Sequence, residues 1–108
     1  MLSNNIKVTA VSLLLGSAAF SGLASAAGDP EAGAEKITTC VACHDAEGKA
    51  TAPIYPSLAG QSATYLESSL KAYRDGLRGG GMSAVMTPQA TKLSDEDIAD
   101  ITTYYSQQ

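Results

Sequence analysis

The sequence has few of the residues that build metal clusters, disulfide frameworks or nucleic-acid interfaces. Its 108 residues include only two cysteines and one histidine, which excludes a four-ligand Cys/His zinc site and a scaffold of several disulfides. Basic residues are also scarce, because seven lysines and arginines stand against eleven acidic residues and leave a net charge of −4. Binding to nucleic-acid phosphates needs an excess of positive charge, so we expect no nucleic-acid partner.

The remaining composition is typical of one folded domain. Hydrophobic residues make up 44% of the chain and charged residues 17%, a balance found in ordinary globular proteins. The length leaves room for a single domain. No alternating pattern of useful length predicts a strand, so we expect an all-α fold.

The first 26 residues have the features of a secretory signal peptide. Lys7 is the only charged residue before an apolar run at residues 8–20, and small residues at positions 24–26 follow as a cleavage site. A retained membrane anchor is the alternative, but polar and small residues dilute the run, and a spanning helix needs about 20 apolar residues. We therefore expect a signal peptide at 1–26 and a mature domain at 27–108. That domain is expected in the periplasm, without stable membrane insertion after cleavage.

Start and stop signals predict three main helices in the mature domain. Aspartate and serine at the predicted starts can accept hydrogen bonds from free backbone N–H groups, and glycine is a common helix end. Ser94 and Asp97 have the spacing of a capping box. The predicted helices extend from Asp29 to about Ala42, from Ser62 to Gly76, and from Ser94 through Tyr105.

Two long loops are predicted between these helices. Residues 45–60 and 79–92 are rich in glycine and proline. Loops of about fifteen residues are long for a compact domain, and a domain this small needs a staple besides its core. A bound cofactor would provide both the order and the staple.

Acidic residues crowd the start of the last predicted helix. Negative charge there is favourable because a helix N-terminus is the positive end of its dipole. Such a charged face can also repel acidic partners and attract basic ones. We expect a capped, solvated helix face at Asp95, Glu96, Asp97 and Asp100.

Residues 40–44 (CVACH) contain both cysteines and the only histidine of the chain. This spacing is typical of c-type haem attachment. Two thiols about one helical turn apart lie on the same side of the chain, so they can add to the two vinyl groups of one haem. The adjacent imidazole can then bind the iron. The motif predicts one haem c, covalently bound through Cys40 and Cys43, with His44 as an axial ligand.

Two other uses of these residues fit less well. A redox-active disulfide between Cys40 and Cys43 is typical of a thioredoxin-like fold, which needs strands that this sequence lacks. A zinc site would have only three ligands from the two cysteines and His44, with no second cluster to complete the tetrahedron.

Two methionines of the mature domain are candidates for the second axial ligand. Met82 and Met86 both lie in the predicted loop 79–92, where a methionine that only fills the core is less expected. A thioether ligand would close the iron and raise its potential. The residues alone indicate that at least one of the two binds the iron.

Residues 27–108 contain a series of ordered motifs: Gly28-Asp29 with Gly33, then CVACH, then PSLAGQ at 56–61, then Met86, LSDEDI at 93–98, and Tyr104-Tyr105. Their order and spacing resemble those of the class I cytochromes c. The resemblance is strongest to the short soluble bacterial proteins and to one half of the dihaem periplasmic ones. It implies a small cytochrome c fold, with three main helices and long loops wrapped around one covalent haem.

The resemblance also implies roles for single residues. Pro56 corresponds to the proline whose carbonyl accepts the N–H of the ligand histidine, and Leu58 is expected to line the haem pocket. Met86 precedes the Leu-Ser of the last helix by seven residues, as the axial methionine does in similar sequences. This favours Met86 over Met82, although the glycine run 79–81 has no counterpart that aligns well.

Other residues have structural roles in the family that this sequence resembles. Gly33 corresponds to the small residue where the first and last helices cross, and Tyr104 to the aromatic residue packed against it. Tyr65, Tyr73 and Arg74 are candidates for contacts with the haem propionates, although positions facing solvent fit them better.

An electron carrier is the function that these features favour, rather than an enzyme. With both axial positions filled, the iron has no open site for a substrate, and no second histidine is available for acid–base chemistry. We expect a monomer that meets redox donors and acceptors through transient contacts. A haem-containing subunit of a larger redox complex is the alternative, and a haem enzyme or gas sensor with an open sixth site is a weaker one.

Overall fold

A computed structural model describes Gly16 and residues 27–108, and the rest of the predicted signal peptide lies outside the described residues. Residues 27–108 contain helices and no strand, so the all-α prediction is confirmed. No helix in this part of the chain is long and apolar enough to cross a membrane. The helices are α1 (Pro30–Lys36), α2 (Val41–His44), α3 (Ala63–Arg74), α4 (Ser83–Ala90) and α5 (Asp95–Ser106).

Side-chain caps start the three main helices, as predicted. The Asp29 carboxylate accepts hydrogen bonds from the N–H groups of the first turn of α1. The Ser62 hydroxyl does the same for α3. At α5, Ser94 and Asp97 form both bonds of a capping box.

Helices α1 and α5 cross at Gly33, where their backbones come into contact. A Cβ on Gly33 would lie 2.1 Å from the Asp100 carbonyl oxygen and 2.9 Å from Tyr104 Cβ. Only glycine fits this crossing, because any side chain would overlap the backbone of α5. The close approach of Gly33 to α5 beside Tyr104 agrees with the predicted packing.

Charged groups reinforce the same crossing. Lys36 Nζ lies 2.9 Å from an Asp97 oxygen and 2.7 Å from Asp100 Oδ2. The Asp29 N–H donates to the other Asp100 oxygen at 2.8 Å. The prediction of a solvated acidic face is therefore wrong for Asp100, which is 5% exposed and fully engaged by α1. The sequence did not reveal this because Lys36 lies 64 residues away.

The apolar core lies where α1, α3 and α5 meet. Its buried members are Ile37, Leu66, Ile101 and Tyr105. Cys40 and Leu58 are partly buried and pack against this cluster. The core therefore packs directly against the CVACH segment through Cys40.

The predicted first helix is wrong in its length. It ends at Lys36, and a tight turn over residues 38–40 separates it from α2. The Cys40 N–H donates to the Ile37 carbonyl at 2.8 Å, which is the bond of a turn rather than of an α-helix. Three consecutive residues here, Ile37, Thr38 and Thr39, are β-branched and weak helix formers.

The predicted loop 79–92 is also wrong, because residues 83–90 form α4. Pro88 lies inside this helix, so its missing N–H removes one backbone bond without ending the helix. Hydroxyls of Thr87 and Thr91 each donate to the carbonyl four residues earlier. The other predicted loop, 45–60, contains turns and no helix.

Candidate functional site

A cavity of about 460 Å³ lies beside the core and opens to the surface. Its walls come from the CVACH segment, from residues 54–58 and from α3, α4 and α5. This volume is within the range of small-molecule and cofactor sites. The cavity gathers the predicted site residues: Cys40, Cys43, His44, Pro56, Leu58 and Met86 all line it.

The two cysteines are free thiols on the same wall of the cavity. Cys40 is the residue that precedes α2, and Cys43 lies within that helix. Burial raises the pKa of the Cys40 thiol, and a hydrogen bond with Thr39 offsets part of this shift. Both sulfur-bearing side chains line the same space, so they can bond to one group within it.

His44 is buried and oriented by one hydrogen bond. The residue is 5% exposed, and its Nδ1 lies 2.8 Å from the Pro56 carbonyl oxygen. A carbonyl can only accept, so Nδ1 carries the proton and donates. In a neutral imidazole with this bond, Nε2 is the nitrogen that keeps a lone pair and can bind a metal.

Both methionines line the cavity, and the structure places them differently. Met82 immediately precedes α4 and is 50% exposed. Met86 lies within α4, one turn further on, and is partly buried. The prediction that both lie in a loop is wrong for Met86, which is helical, whereas Met82 lies in the turn before α4.

One arginine is the sole side chain of the cavity wall that is permanently charged. Arg78 stacks over the ring of Tyr73, with its guanidinium carbon 4.8 Å from the ring centre. Arg74, which the sequence suggested for contacts with propionates, does not line the cavity. It pairs with Asp75 and, at 2.6 Å, with Asp95 at the start of α5. Tyr65 and Tyr73 do line the cavity.

Two further tyrosines of the site were missed by reasoning from the sequence. Tyr55 packs edge-on against the His44 ring, with ring centres 6.5 Å apart. A hydrogen bond with Cys43 raises the pKa of Tyr55. Tyr105 forms part of the cavity floor and is 1% exposed. Tyr55 directly precedes Pro56 in the sequence, and this position could have indicated its role. No local signal indicates that Tyr105 reaches the cavity.

The chemistry of this donor set fits a covalently bound haem. Two thiols, an imidazole with a free Nε2 and two thioethers face one apolar cavity. Thiols can form thioether bonds with vinyl groups, and imidazole and thioether are ligands that haem iron accepts.

Comparison with known proteins supports the same interpretation. The family model described as Cytochrome c matches residues 30–107. The chain is 70% identical over 82 residues to a cytochrome c-554(548) from Halomonas halodenitrificans, of which it covers 99%. It is also 46% identical over 98 residues to a cytochrome c4 from Pseudomonas aeruginosa.

The chain spans about half the length of the cytochromes c4 that it matches, with 47% of the Pseudomonas aeruginosa protein covered. A crystal structure of reduced cytochrome c4 from Pseudomonas stutzeri superposes with a TM-score of 0.61 at 38% identity. That superposition covers 76% of this chain and 46% of the other. The chain therefore belongs to the cytochrome c family, whose members are electron carriers that hold haem c covalently.

Proposed function

We propose that this chain is a periplasmic electron carrier with a single haem c, whose iron is bound by His44 and Met86. Cys40 and Cys43 attach the haem, as the CVACH motif of this family requires. When bound, the haem supplies one iron that accepts or releases an electron. The observation that carries the proposal is the convergence of His44, Met86 and both cysteines on one cavity.

His44 would serve as the ligand on one side of the iron. The Pro56 carbonyl fixes both the tautomer and the ring orientation through its 2.8 Å bond to Nδ1. Such bonds to a ligand histidine make the other nitrogen a better donor. Burial of the ring excludes water from the ligand.

Met86 would serve as the ligand on the other side. It projects from a helix whose register is set by packing against α3, so its position is better defined than that of Met82. Met82 is half exposed at the end of the glycine run 79–81. A thioether and an imidazole both bind ferrous and ferric haem, and the thioether raises the potential.

Export to the periplasm follows from the predicted signal peptide at 1–26. Cleavage after residue 26 would leave 82 residues, which equals the length of the match that covers 99% of the cytochrome c-554(548). The mature protein at 27–108 would then act without a membrane anchor.

Partners would be redox proteins that bind transiently to a monomer. Four apolar side chains of the cavity wall are exposed to solvent at its mouth: Ile54, Tyr65, Met82 and Val85. An exposed apolar rim of this kind is typical of a contact surface. A small contact of this type suits rapid association and release.

Replacement of each methionine tests the ligand assignment. We expect Met86→Ala to open the iron, so that the reduced protein binds CO and the midpoint potential falls. Met82→Ala, its matched control on the same segment, is expected to leave both unchanged. CO binding by the Met82→Ala protein and not by the Met86→Ala protein would reverse the assignment.

A further inference from the structure

The chain turns directly after His44 in a backbone conformation that residues other than glycine rarely adopt. Asp45 has a φ of +66° and a ψ of +159°. A side chain persists in this region only when surrounding contacts hold it, and such residues cluster at functional sites. Within residues 27–108, Asp45 is the only residue other than glycine with a positive φ. The contacts that hold Asp45 therefore bear directly on its neighbour, His44.

Backbone bonds hold part of this turn, from the Asp45 N–H to the Val41 carbonyl and from the Gly48 N–H to the Asp45 carbonyl. Two tyrosines at the end of α5 add side-chain contacts. Tyr105 Oη donates to the Asp45 carbonyl at 3.0 Å, and Tyr104 Oη donates to the Ala46 carbonyl at 2.6 Å. The two rings pack edge to face, with their centres 5.2 Å apart. The last helix thus holds two consecutive carbonyls of the turn through hydroxyl groups.

Tyr105 also supports the segment that orients the His44 ring. Gly48 lies between the Tyr105 ring and the backbone of Ala59. A Cβ on Gly48 would be 2.9 Å from Tyr105 Cδ1 and 2.8 Å from Ala59 N. The Gly48 carbonyl accepts hydrogen bonds from Leu58 N–H and Ala59 N–H. These residues closely follow Pro56, whose carbonyl binds the imidazole. Tyr105 therefore binds the turn after His44 directly and packs against Gly48, which is hydrogen-bonded to the segment that follows Pro56.

We infer that Tyr104 and Tyr105 are positioning residues, which hold the strained turn after His44 and so orient its imidazole. This rests on the proposed role of His44 as an iron ligand. The tyrosines act through Asp45 and Ala46, and neither is required to bind the iron itself.

Removal of single hydroxyl groups from the haem-loaded protein tests this inference. In Tyr105→Phe and Tyr104→Phe the ring stays in place and only one hydrogen bond is lost. Ser106→Ala is the matched control, because the Ser106 hydroxyl donates to Thr103 within α5 and does not reach the turn. The measurements are amide hydrogen exchange at residues 45–48 and the NMR signals of the His44 ring.

The Gly48 N–H donates at 3.2 Å to the same Asp45 carbonyl that accepts from Tyr105. We therefore expect amide exchange at Gly48 to accelerate roughly twofold to tenfold in Tyr105→Phe, in line with the loss of one hydrogen bond. The His44 ring signals should shift in both tyrosine variants and stay unchanged in Ser106→Ala. Unchanged ring signals and unchanged exchange in both tyrosine variants would overturn the inference. If the parent protein shows no iron-shifted His44 signals, the proposed ligation itself fails, which is a separate result.

Glycine at position 45 provides a second test that does not depend on the tyrosines alone. Asp45→Gly removes the side chain that makes this conformation unfavourable. In the Asp45→Gly background, Tyr105→Phe should move the His44 signals less than it does in the parent protein. Equal shifts in the two backgrounds would contradict the role assigned to the strained turn.

Discussion

The α1–α5 crossing and the cavity wall are stabilised in different ways. At the crossing, Gly33 allows backbone contact, and Lys36 is held by Asp97 and Asp100. Along the cavity wall, apolar side chains such as Leu58, Leu70 and Met86 face a shared space rather than one another.

This difference indicates which part of the fold depends on the haem for its packing. The crossing satisfies its own polar groups and packs its own backbone, so it requires nothing from outside the chain. The cavity wall faces about 460 Å³ of space, and its apolar groups gain packing only when that space is filled. The haem is therefore part of the core on that side, as well as the redox group.

Loss of haem attachment is expected to have the largest effect. Cys43→Ser would remove one thioether bond, and His44→Ala would remove the proposed iron ligand together with its bond to Pro56. We expect both variants to be poorly folded, because residues 45–60 and the cavity wall then have little to pack on. Far-UV circular dichroism and size-exclusion chromatography would measure the loss. A haem-free variant that is compact and unfolds cooperatively would show that the cavity side folds without its cofactor.

Disruption of the crossing is expected to have the next largest effect. Gly33→Ala places a Cβ 2.1 Å from the Asp100 carbonyl oxygen, and overpacking of this kind costs roughly 1–3 kcal/mol. Gly79→Ala is the matched control, since nothing lies within 4 Å of its Cβ position. Urea unfolding of the haem-loaded proteins measures the free energy of unfolding. Equal stability of the two variants would contradict the tight crossing.

The carboxylate of Asp100 is expected to make a smaller contribution that depends on pH. The hydrogen bond with Lys36, followed by that from the Asp29 N–H, lowers the pKa of Asp100. Because the folded pKa lies below the unfolded value, this stabilisation is complete above about pH 4 and is lost as pH falls through the folded pKa. Asp100→Asn should therefore lower Tm at pH 7 and flatten the fall of Tm in acid.

Glu96→Gln is the control for this prediction, because Glu96 is an exposed acid on the same helix. It should leave the acid dependence of Tm close to that of the parent protein. If Asp100→Asn follows the parent curve as closely as Glu96→Gln does, the Asp100 carboxylate does not stabilise the crossing.

Local signals in the sequence predicted the parts of the structure that depend on local contacts. The caps at Asp29, Ser62 and Ser94 each need only a side chain and the next turn. The CVACH spacing likewise indicates covalent haem attachment without information from the rest of the chain. The Pro56 contact with His44 came from the family resemblance, because nothing within the motif indicates a partner twelve residues away.

Three features that depend on tertiary contacts were missed. Helix α4 forms despite Pro88, since packing against α3 outweighs one lost hydrogen bond. The burial of Asp100 and the strained turn at Asp45 both depend on partners about 60 residues away. Such pairs leave no pattern along the chain, so only the fold reveals them.

The most direct test of the central claim is an absorption spectrum of the exported protein, oxidised and reduced, with and without CO. We expect a low-spin c-type spectrum that CO does not change, because the proposed ligands His44 and Met86 would leave the iron of the covalent haem no open position. A high-spin spectrum that shifts with CO would show an open iron and would contradict the account of a closed electron carrier.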